Sequence, residues 1–443
     1  MKFSHLLGLN ARTQVYSYPH NKSMGRKVAA SKLFTKIRLK KRKVAIPKIF
    51  AKFSSPQKVS AFNFSSLPDS FALKPSKGLG GQGIIVVKKR ALRYAQGKPT
   101  REKALDAWIT TQKKRVTIED MKLHIMDILE GAYSLGNVPD RAFIEEYVGR
   151  HKTLRKYAYR GTPDIRVIVF NKVPVMAMLR LPTKESGGRA NLHQGAIAVG
   201  IDLATGITTR AWHSGSYIKF KPGTKRKLHG IRIPMWTKIL EIAITAGEAA
   251  GLGYYGADIV LHPEKGPMIL ELNYQPGLSI QLANAAGLKK RLERVEDLSV
   301  KDAEHGVHIA QTIFGERFAD RVKLKEGIKI LKPVEKVKIY PPGKKGVYVK
   351  ARVDTGAIRT SIDKKLAEDL NLLTEENILW RKRFAYRSAG GKQSRPVIAL
   401  TLGILGRKIK TSASVANRER MTTPLLLGRN DIAGFLVDPV ENE

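Results

Sequence analysis

Residues 258–273, with the sequence DIVLHPEKGPMILELN, constrain the fold of this chain more than any other stretch. The turn-forming HPEKGP lies between two apolar runs, and this pattern predicts a β-hairpin. With the turn centred between Glu264 and Lys265, the register places Asp258 opposite Glu271. Neighbouring carboxylates repel each other, so an apolar hairpin that carries both is typical of a cation site.

The same register fixes the rest of the hairpin. It pairs the apolar positions, Ile259 with Leu270 and Leu261 with Met268. Strand alternation places Asn273 on the same face as Glu271. Asp258, Glu271 and Asn273 then offer hard oxygen atoms on one surface, which suits Mg²⁺ (or Mn²⁺) shared with nucleotide phosphates. The alternative interpretation is an exposed hairpin with scattered acids.

A glycine-rich loop, KPSKGLGGQG at 74–83, is the second informative stretch. Gly78, Gly80 and Gly83 match the G-x-G-x-x-G pattern, but the strand-like IIVV follows where a dinucleotide-binding fold would start a helix. The pattern therefore predicts a strand–loop–strand flap whose amides cover phosphates, with Lys74 as the cationic partner. The missing G-K-[ST] excludes a P-loop, and the missing H-R-D and D-F-G exclude a protein kinase. Taken alone, the loop is equally well an ordinary tight turn.

The length of 443 residues suits two or three domains. The 42% hydrophobic and 27% charged residues are typical of a globular protein. No apolar run approaches the roughly 20 residues of a membrane span. The absence of cysteine excludes disulfides, thiolate nucleophiles and cysteine-ligated zinc. Because the N-terminus lacks a small-residue cleavage site, we expect no secretory signal and a cytoplasmic location.

The formal charge of +42 is the most unusual global property, and residues 1–60 contain no Asp or Glu. The excess of Lys and Arg extends along the whole chain. One interpretation is attraction to a polyanion such as the ribosome, and another is a general bias of the source towards basic proteins. An organelle presequence is a third interpretation of the acid-free start.

Periodicity predicts several elements of secondary structure. The patterns of FALKP (71–75), AFIEEYV (142–148) and IRVIVF (165–170) are typical of strands. Thr117 followed by Asp120 is a capping-box pattern that opens an amphipathic helix. Another helix is predicted to start at Pro234, and the basic segment 24–44 has helical apolar spacing.

Four further motifs give the chain a family resemblance. They are IEEYVG (144–149), DIRVIVF (164–170), RANLHQG (189–195) and ADIVLHPEKGPMILELNYQPGL (257–278). Together they resemble the RimK-type ATP-grasp ligases, in particular the alpha-L-glutamate ligase-like branch, whose N-terminus is similar to LLGLNAR (6–12). The resemblance covers residues 5–315. The domain that precedes the ATP-grasp core in RimK has no counterpart here, so the amino-acid substrate stays open.

The resemblance implies ATP and magnesium as cofactors and a role for each motif residue. ATP phosphates would be bound by Lys32 and Lys74, under the loop of Gly78, Gly80, Gly81 and Gly83. The adenine hinge would be Glu146, Tyr147 and Val148, with Asp164 and Arg166 on the substrate side. Phosphate or acceptor would be bound by Arg189, Asn191 and His193, and the metal by Asp258, Glu271 and Asn273. Without the resemblance, a histidine such as His193 is more often structural than catalytic.

The C-terminal region carries a different pattern. YVKARVDTGAIRTSI (348–362) runs as a strand into Asp354-Thr355-Gly356-Ala357, and LLLGRN (425–430) follows. These motifs resemble retropepsins, and RSAGGKQSRPVI (387–398) and NRERM (417–421) resemble the RimB-like domains labelled "ATP-dependent zinc protease". Aspartic proteases need two aspartates that share a proton, so a single D-T-G implies a homodimer with Asp354 as the catalytic residue. A zinc site is not supported, because residues 325–443 contain no His or Cys. The alternative is a domain that binds peptides without cutting them.

The sequence therefore predicts an α+β ATP-grasp fold followed by a small all-β retropepsin-like (acid protease) domain. The predicted divisions are a basic segment 1–30, a ligase domain 31–320, a linker with a first strand 321–345, and a domain 346–443. The predicted function is ATP-dependent ligation of an amino acid, glutamate being one candidate, to a carboxylate-bearing peptide, protein or small-molecule acceptor. Two alternatives are a dimeric aspartyl peptidase regulated by nucleotide and a basic ribosome-associated factor with a vestigial ATP site.

Overall fold

The computed structural model describes residues 3–78, 80–95, 98–314, 329–380 and 395–437. The chain divides into two compact units: Met1–Ile201 with Gly206–Glu296, and Asp202–Thr205 with Asp297–Glu443. The division thus falls before Asp297, whereas the sequence placed the end of the ligase domain at residue 320. The helix Ala303–Ile313 accounts for the difference, because it packs against strands of the second unit. Part of the predicted linker, 321–328, lies outside the described residues.

The first unit contains a six-stranded antiparallel sheet. Its strands are β1 (Ile49–Phe53), β2 (Phe71–Pro75), β3 (Ile85–Ala95), β4 (Lys98–Thr110), β5 (Arg115–Thr117) and β6 (Ala142–Glu146). Their order is β1-β6-β2-β3-β4-β5, and Phe53, Phe71 and Trp108 on these strands belong to a buried hydrophobic core. The predicted capping box is confirmed: Asp120 N donates to Thr117 Oγ1 at 3.2 Å, and Thr117 N donates to Asp120 Oδ2 at 2.9 Å.

The first unit also contains a seven-stranded antiparallel sheet. It comprises β7 (Asp164–Phe170), β8 (Val173–Leu181), β9 (Ile197–Ile201), β10 (Thr208–His213), β11 (Ser216–Ile218), β12 (Tyr254–His262) and β13 (Gly266–Asn273). The order is β11-β10-β9-β8-β7-β12-β13. Strands β7 and β8 are buried along their whole length, as expected for continuous apolar runs.

The described residues of the first unit also form helices. They are α1 (Leu9–Ala11), α2 (Tyr18–His20), α3 (Ser23–Ala29), α4 (Lys32–Lys41), α5 (Pro56–Ser60), α6 (Ile118–Glu130), α7 (Lys152–Arg155), α8 (Trp236–Ala250), α9 (Ile280–Asn284) and α10 (Lys289–Glu293). The segment 24–44 is therefore two helices, and the helix predicted at Pro234 begins at Trp236. No described helix is long and apolar enough to cross a membrane.

Residues 3–21 pack inside the first unit, which differs from the predicted separate segment 1–30. Leu7 N donates to Gln281 Oε1 at 2.9 Å, and Asn21 Nδ2 donates to the Tyr254 carbonyl at 2.7 Å. Ser17 Oγ donates to the carbonyl of Tyr274, the residue after Asn273, at 2.7 Å. These three hydrogen bonds join the segment to α9, to β12 and to the residue after β13, which the sequence alone did not reveal.

The hairpin of β12 and β13 confirms one predicted pair and corrects two. Asp258 lies opposite Glu271, as predicted. The predicted partners of the apolar positions are wrong by one residue, because Ile259 pairs with Ile269 and Leu261 pairs with Pro267. A β-bulge between Asp258 and Ile259 shifts the register at this point. The predicted turn centre was therefore misplaced by half a residue, and the bulge compensates for that error at Asp258.

The second unit is a β-barrel. Its strands are β14 (Ile330–Leu331), β15 (Val334–Ile339), β16 (Val347–Val353), β17 (Ser361–Asp363), β18 (Ile378–Trp380), β19 (Val397–Ile404), β20 (Arg407–Ala416), β21 (Leu425–Leu427) and β22 (Leu436–Val437). The order β15-β16-β21-β17-β20-β19-β18 closes through pairing of β15 with β19, and β14 pairs with β22. The described residues of this unit also form the helices α11 (Ala303–Ile313), α12 (Lys364–Asp369) and α13 (Arg429–Ile432). Residues 387–394 of the RimB-like motif lie outside the described residues.

Candidate active site

A cleft of about 1200 Å³ in the first unit collects most of the predicted site residues. Its lining includes Lys32, Lys74, Gly78, Gly80, Gly81, Glu146, Tyr147, Val148, Asp164, Arg166, Arg189, Asn191, Asp258, Glu271 and Asn273. Gly83 and His193 belong to the same loops but do not line the cleft. Asp354 belongs to the second unit.

Charged side chains on four adjacent strands form a lattice in this cleft. Arg166 on β7 faces Asp258 on β12, which in turn faces Glu271 on β13. Arg166 donates through Nε and Nη2 to the Asp258 carboxylate at 2.7 and 2.6 Å. Arg180 on β8 donates to Asp258 at 2.7 Å and to Asp164 at 2.5 and 2.7 Å. Two arginines and two aspartates thus compensate one another while each is less than one-tenth exposed.

The lattice separates the pKa values of its two aspartates. Burial alone would raise the pKa of Asp258, but the guanidinium groups of Arg166 and Arg180 outweigh it and hold that pKa well below its usual range. Burial raises the pKa of Asp164 to about 6, because Arg180 offsets only part of the desolvation and the Asp258 charge adds to it. Asp258 is therefore the more acidic member of the pair.

The donor set of the predicted metal site fits a hard cation. Asp258 and Glu271 lie opposite each other on paired strands, and together with Asn273 they offer carboxylate and carboxamide oxygens to the cleft. The positive charge around them comes from the two arginines and from Lys32, whose Nζ lies 3.5 Å from Glu271 Oε2. Among the described residues no cluster of three or more His, Cys, Asp or Glu side chains forms a metal site. The trio has two acids and one amide, which matches a cation that also takes oxygens from a bound nucleotide.

A buried ion triad supports Lys74. Lys36 Nζ lies 2.7 Å from Glu145 Oε2, and Lys74 Nζ lies 2.6 Å from Glu145 Oε1. Lys36 and Glu145 are each 1% exposed, whereas Lys74 is 15% exposed. Burial lowers the pKa of Lys36; burial would raise the pKa of Glu145, but the two lysines lower it. The triad contains two lysines and one glutamate. Lys74 is its most exposed member and lines the cleft, so its ammonium group is available to an anion there.

The glycine-rich loop faces the segment that carries Arg189 and Asn191. A Cβ on Gly80 would lie 3.7 Å from Asn191 Nδ2, and a Cβ on Gly81 would lie 3.7 Å from Arg189 Cδ. Both glycines have positive φ angles, +60° and +81°, which side chains disfavour. The loop therefore brings two predicted groups together. His193, two residues after Asn191, is exposed on a short 3₁₀ helix.

Gly83 has a structural role at the end of the loop. Its φ angle is +69°, and a Cβ there would lie 2.6 Å from Tyr133 Cγ. His124 Nε2 lies 2.8 Å from the Gly83 carbonyl, and Tyr133 Oη lies 3.3 Å from His124 Nδ1. This glycine thus fastens the flap to α6 instead of facing the cleft.

The predicted hinge residues lie beside an apolar wall. Val148 packs with Val260, Met268 and Leu270, and such a surface suits the face of a nucleotide base. Glu146 is directed towards the hairpin turn, where it bonds to Lys265 and lies 3.5 Å from His262 Nε2.

Sequence reasoning missed three residues of the site. Arg180 stands alone among apolar residues in VPVMAMLRL, and a charge in a fully buried strand was an available signal. Glu145 adjoins Glu146 in an acid-poor chain, which was a weaker signal. Lys36 gave no signal, because it belongs to the lysine-rich helix α4.

The second unit places the two protease-like motifs side by side. Strand β16 runs parallel to β21, and Asp354 N donates to the Leu427 carbonyl at 3.0 Å. The carboxylate Oδ1 of Asp354 accepts from Gly356 N at 2.8 Å and from Ala357 N at 3.0 Å. Arg429 N donates to the Ala357 carbonyl at 2.7 Å. Motifs about seventy residues apart thus form one turn structure around Asp354.

A family model described as sugar-transfer associated ATP-grasp matches residues 11–297. The match spans more than half of the chain, and the chain therefore belongs to the sugar-transfer associated ATP-grasp family. ATP-grasp ligases use ATP with Mg²⁺. The matched residues include the cleft, the glycine-rich loop and the β12–β13 hairpin.

Solved structures also resemble the chain. The ATP-grasp ligase PsnB, determined with a minimal precursor, is 14% identical over 62% of this chain and 63% of that chain, with a TM-score of 0.33. The D-alanine–D-alanine ligase from Bacillus anthracis is 13% identical over 69% and 72%, with a TM-score of 0.32. The Legionella pneumophila protein Lpg0085, of unknown function, is 25% identical over 26% and 94%, with a TM-score of 0.18. No curated protein sequence matches the chain. The family assignment rests on the family match alone.

Proposed function

We propose that the protein is a ligase of the RimK type, in the alpha-L-glutamate ligase-like branch, that adds an amino acid to a peptide, protein or small-molecule acceptor. Glutamate is the first amino acid to test. The observation that carries the proposal is the shared cleft, in which the Asp258–Glu271 pair, Lys74 and the glycine-rich loop all face one cavity. In this reaction ATP phosphorylates a carboxylate, and an amine attacks the acyl phosphate and displaces phosphate.

The side chains of the cleft divide this task. Lys74, held by Glu145, and Lys32 offset negative charge on the transferred phosphoryl group. The amides of the glycine-rich loop cover the phosphates, and the apolar wall at Val148 receives the base. A magnesium ion on Asp258, Glu271 and Asn273 would neutralise phosphate oxygens.

Release of ADP tests the proposed reaction. The purified full-length protein is incubated with ATP, Mg²⁺ and panels of amino acids and short peptides, singly and in pairs. We expect ADP release only where a carboxylate and an amine substrate are both present, because the acyl phosphate needs an acceptor to turn over. ADP release at the same rate without any amine would contradict the ligase and favour an ATPase.

The second unit supports a second candidate function. We propose that the barrel is retropepsin-like and RimB-like, and that Asp354 pairs with its counterpart in a second copy of the chain to cleave peptides. The supporting observation is the turn around Asp354, which follows β16, the strand that pairs with β21. A single aspartate cannot share a proton with itself, so this activity requires a homo-oligomer.

Asp354→Asn tests the peptidase. We expect this variant to lose peptide cleavage while ADP release stays unchanged, because Asp354 lies in the other unit from the cleft. Cleavage of a peptide mixture, followed by mass spectrometry, gives the measurement. Asp369→Asn, an exposed change at the end of α12, is the matched control. If the Asp354→Asn variant still cleaved peptides, an aspartyl dyad would be ruled out. If the parent protein cleaved no peptide, the peptidase proposal would be wrong and the alternative of a peptide-binding domain would be favoured.

A further inference from the structure

Cations from two loops converge beside the cleft. Lys221 Nζ donates to the Lys156 carbonyl at 3.3 Å, and Arg226 Nη1 donates to the same oxygen at 2.7 Å. Arg150 Nη1 donates to the Ala158 carbonyl at 3.5 Å. We refer to Arg150, Lys221 and Arg226 as the cationic cluster.

The geometry of the cluster is built into the backbone. Residues 219–228 form a small hairpin in which Lys221 N donates to the Arg226 carbonyl at 2.9 Å and Leu228 N donates to the Lys219 carbonyl at 3.0 Å. Thr224 closes the turn, because its N and Oγ1 donate to the Lys221 carbonyl at 3.0 and 2.9 Å. Lys221 and Arg226 are therefore held side by side without a ligand, and binding would not need to order them.

The charges of the cluster are not compensated by acids. Within the described ranges of the chain, no Asp or Glu forms an ion pair with any of the three side chains. Burial lowers the pKa of the Lys221 ammonium, and the positive charges of Arg226 and Arg150 lower it further. Like charges held together in this way are stabilised by a bound anion.

The cluster adjoins the rim of the cleft. The segment 149–162 leaves the cleft after Val148 and returns to it at Gly161 and Thr162, and all three of these residues line the cavity. Thr162 Oγ1 donates to the Val148 carbonyl at 2.7 Å, which closes the segment at its base. A Cβ on Gly161 would lie 1.7 Å from the Gly188 carbonyl, so the segment touches the Arg189 side of the cleft.

We propose that the cationic cluster binds a phosphate group of the acceptor while the reacting group of that acceptor lies in the cleft. That the bound molecule is an acceptor substrate rests on the proposed ligase function. Two of the side chains donate to the same carbonyl oxygen of Lys156 and a third lies nearby, so the three positive charges are close together. A phosphate or diphosphate group, with several charges on one small centre, matches this arrangement better than the dispersed single charges of an acidic peptide.

Pyrophosphate binding to the full-length protein tests the proposal. The titration is made by calorimetry with Mg²⁺ and a saturating non-hydrolysable ATP analogue, so that the nucleotide phosphate positions are filled. We expect Lys221→Gln with Arg226→Gln to weaken pyrophosphate binding at least about tenfold, since two charge-assisted contacts are lost. The matched control is Lys225→Gln with Lys227→Gln, which removes the same charge from exposed neighbours in the same hairpin.

Each outcome decides the question. Weakening confined to the first pair, with less than about a twofold change in the control pair, supports the cluster as a phosphate site. If both double variants weakened pyrophosphate binding equally, the effect would come from the overall positive charge of the hairpin, and the proposal would be overturned. Binding of triglutamate but not of pyrophosphate would overturn it in favour of carboxylates. The readout does not depend on turnover, so a failed ligase assay and a failed binding assay are distinguishable.

Discussion

Glu271→Gln is expected to lower ATP-dependent turnover by roughly 10²–10³-fold, the loss typical when one group that stabilises transition-state charge is removed. The change keeps the shape of the side chain but removes the charge beside Asp258 and opposite Lys32. Oxygen ligands hold magnesium largely through their negative charge, so the affinity for Mg²⁺ falls as well. ADP release measured across a Mg²⁺ titration separates the two effects, because excess metal restores only the part due to affinity.

Glu264→Gln is the matched control for this variant. Glu264 belongs to the turn of the same hairpin, its side chain is exposed, and it does not line the cleft. We expect its turnover to equal that of the parent protein. If Glu271→Gln also kept parental turnover at low Mg²⁺, the metal role of the Asp258, Glu271 and Asn273 trio would be wrong.

Glu145→Gln is expected to destabilise the first unit by about 3–5 kcal/mol, the usual cost of breaking a buried ion pair from one side. The variant leaves the ammonium groups of Lys36 and Lys74 without their shared anion, and Lys36 is 1% exposed. Urea unfolding followed by circular dichroism measures the loss. Nucleotide affinity should fall in parallel, because Lys74 is no longer fixed towards the cleft.

Two further variants distinguish a lost ion triad from general damage. Glu146→Gln changes the next residue, whose partner Lys265 is 52% exposed, and should cost no more than about 1 kcal/mol. Adding Lys36→Met to Glu145→Gln removes the stranded buried charge and should recover part of the stability. An unfolding midpoint for Glu145→Gln equal to that of Glu146→Gln would show that the triad contributes little.

Local sequence signals predicted local structure well in this chain. The Thr117 capping box and the buried strand at 165–170 are confirmed, because each depends on residues within one element. The pairing of Asp258 with Glu271 is also confirmed, but two deviations cancel there. The turn is centred half a residue away from the predicted point, and a β-bulge restores the register. Periodicity contains no information on bulges, so only the structure could reveal this.

The rest of the site depends on contacts between distant segments. Lys36 and Glu145 are more than one hundred residues apart, and a lysine-rich helix gives no indication of which lysine is buried. Arg180 reaches Asp258 across β7, which requires the strand order to be known. Most residues that line the cleft were predictable from motifs, whereas the buried residues bonded to them were not. The metal, nucleotide and acceptor roles stay predictions until the variants are measured.

The placement of residues 3–21 has a consequence for the order of events during biosynthesis. Leu7, Asn21 and Ser17 bond to partners 274, 233 and 257 positions later in the chain. At a translation rate of about 5–20 residues per second, these groups wait roughly 10–50 s for their partners to be made. The nascent N-terminal segment therefore lacks these three partners until Gln281, on α9, has been synthesised. Residues 254–281 thus provide hydrogen-bond partners for residues 7–21, and the first unit cannot be fully assembled until both segments have been synthesised.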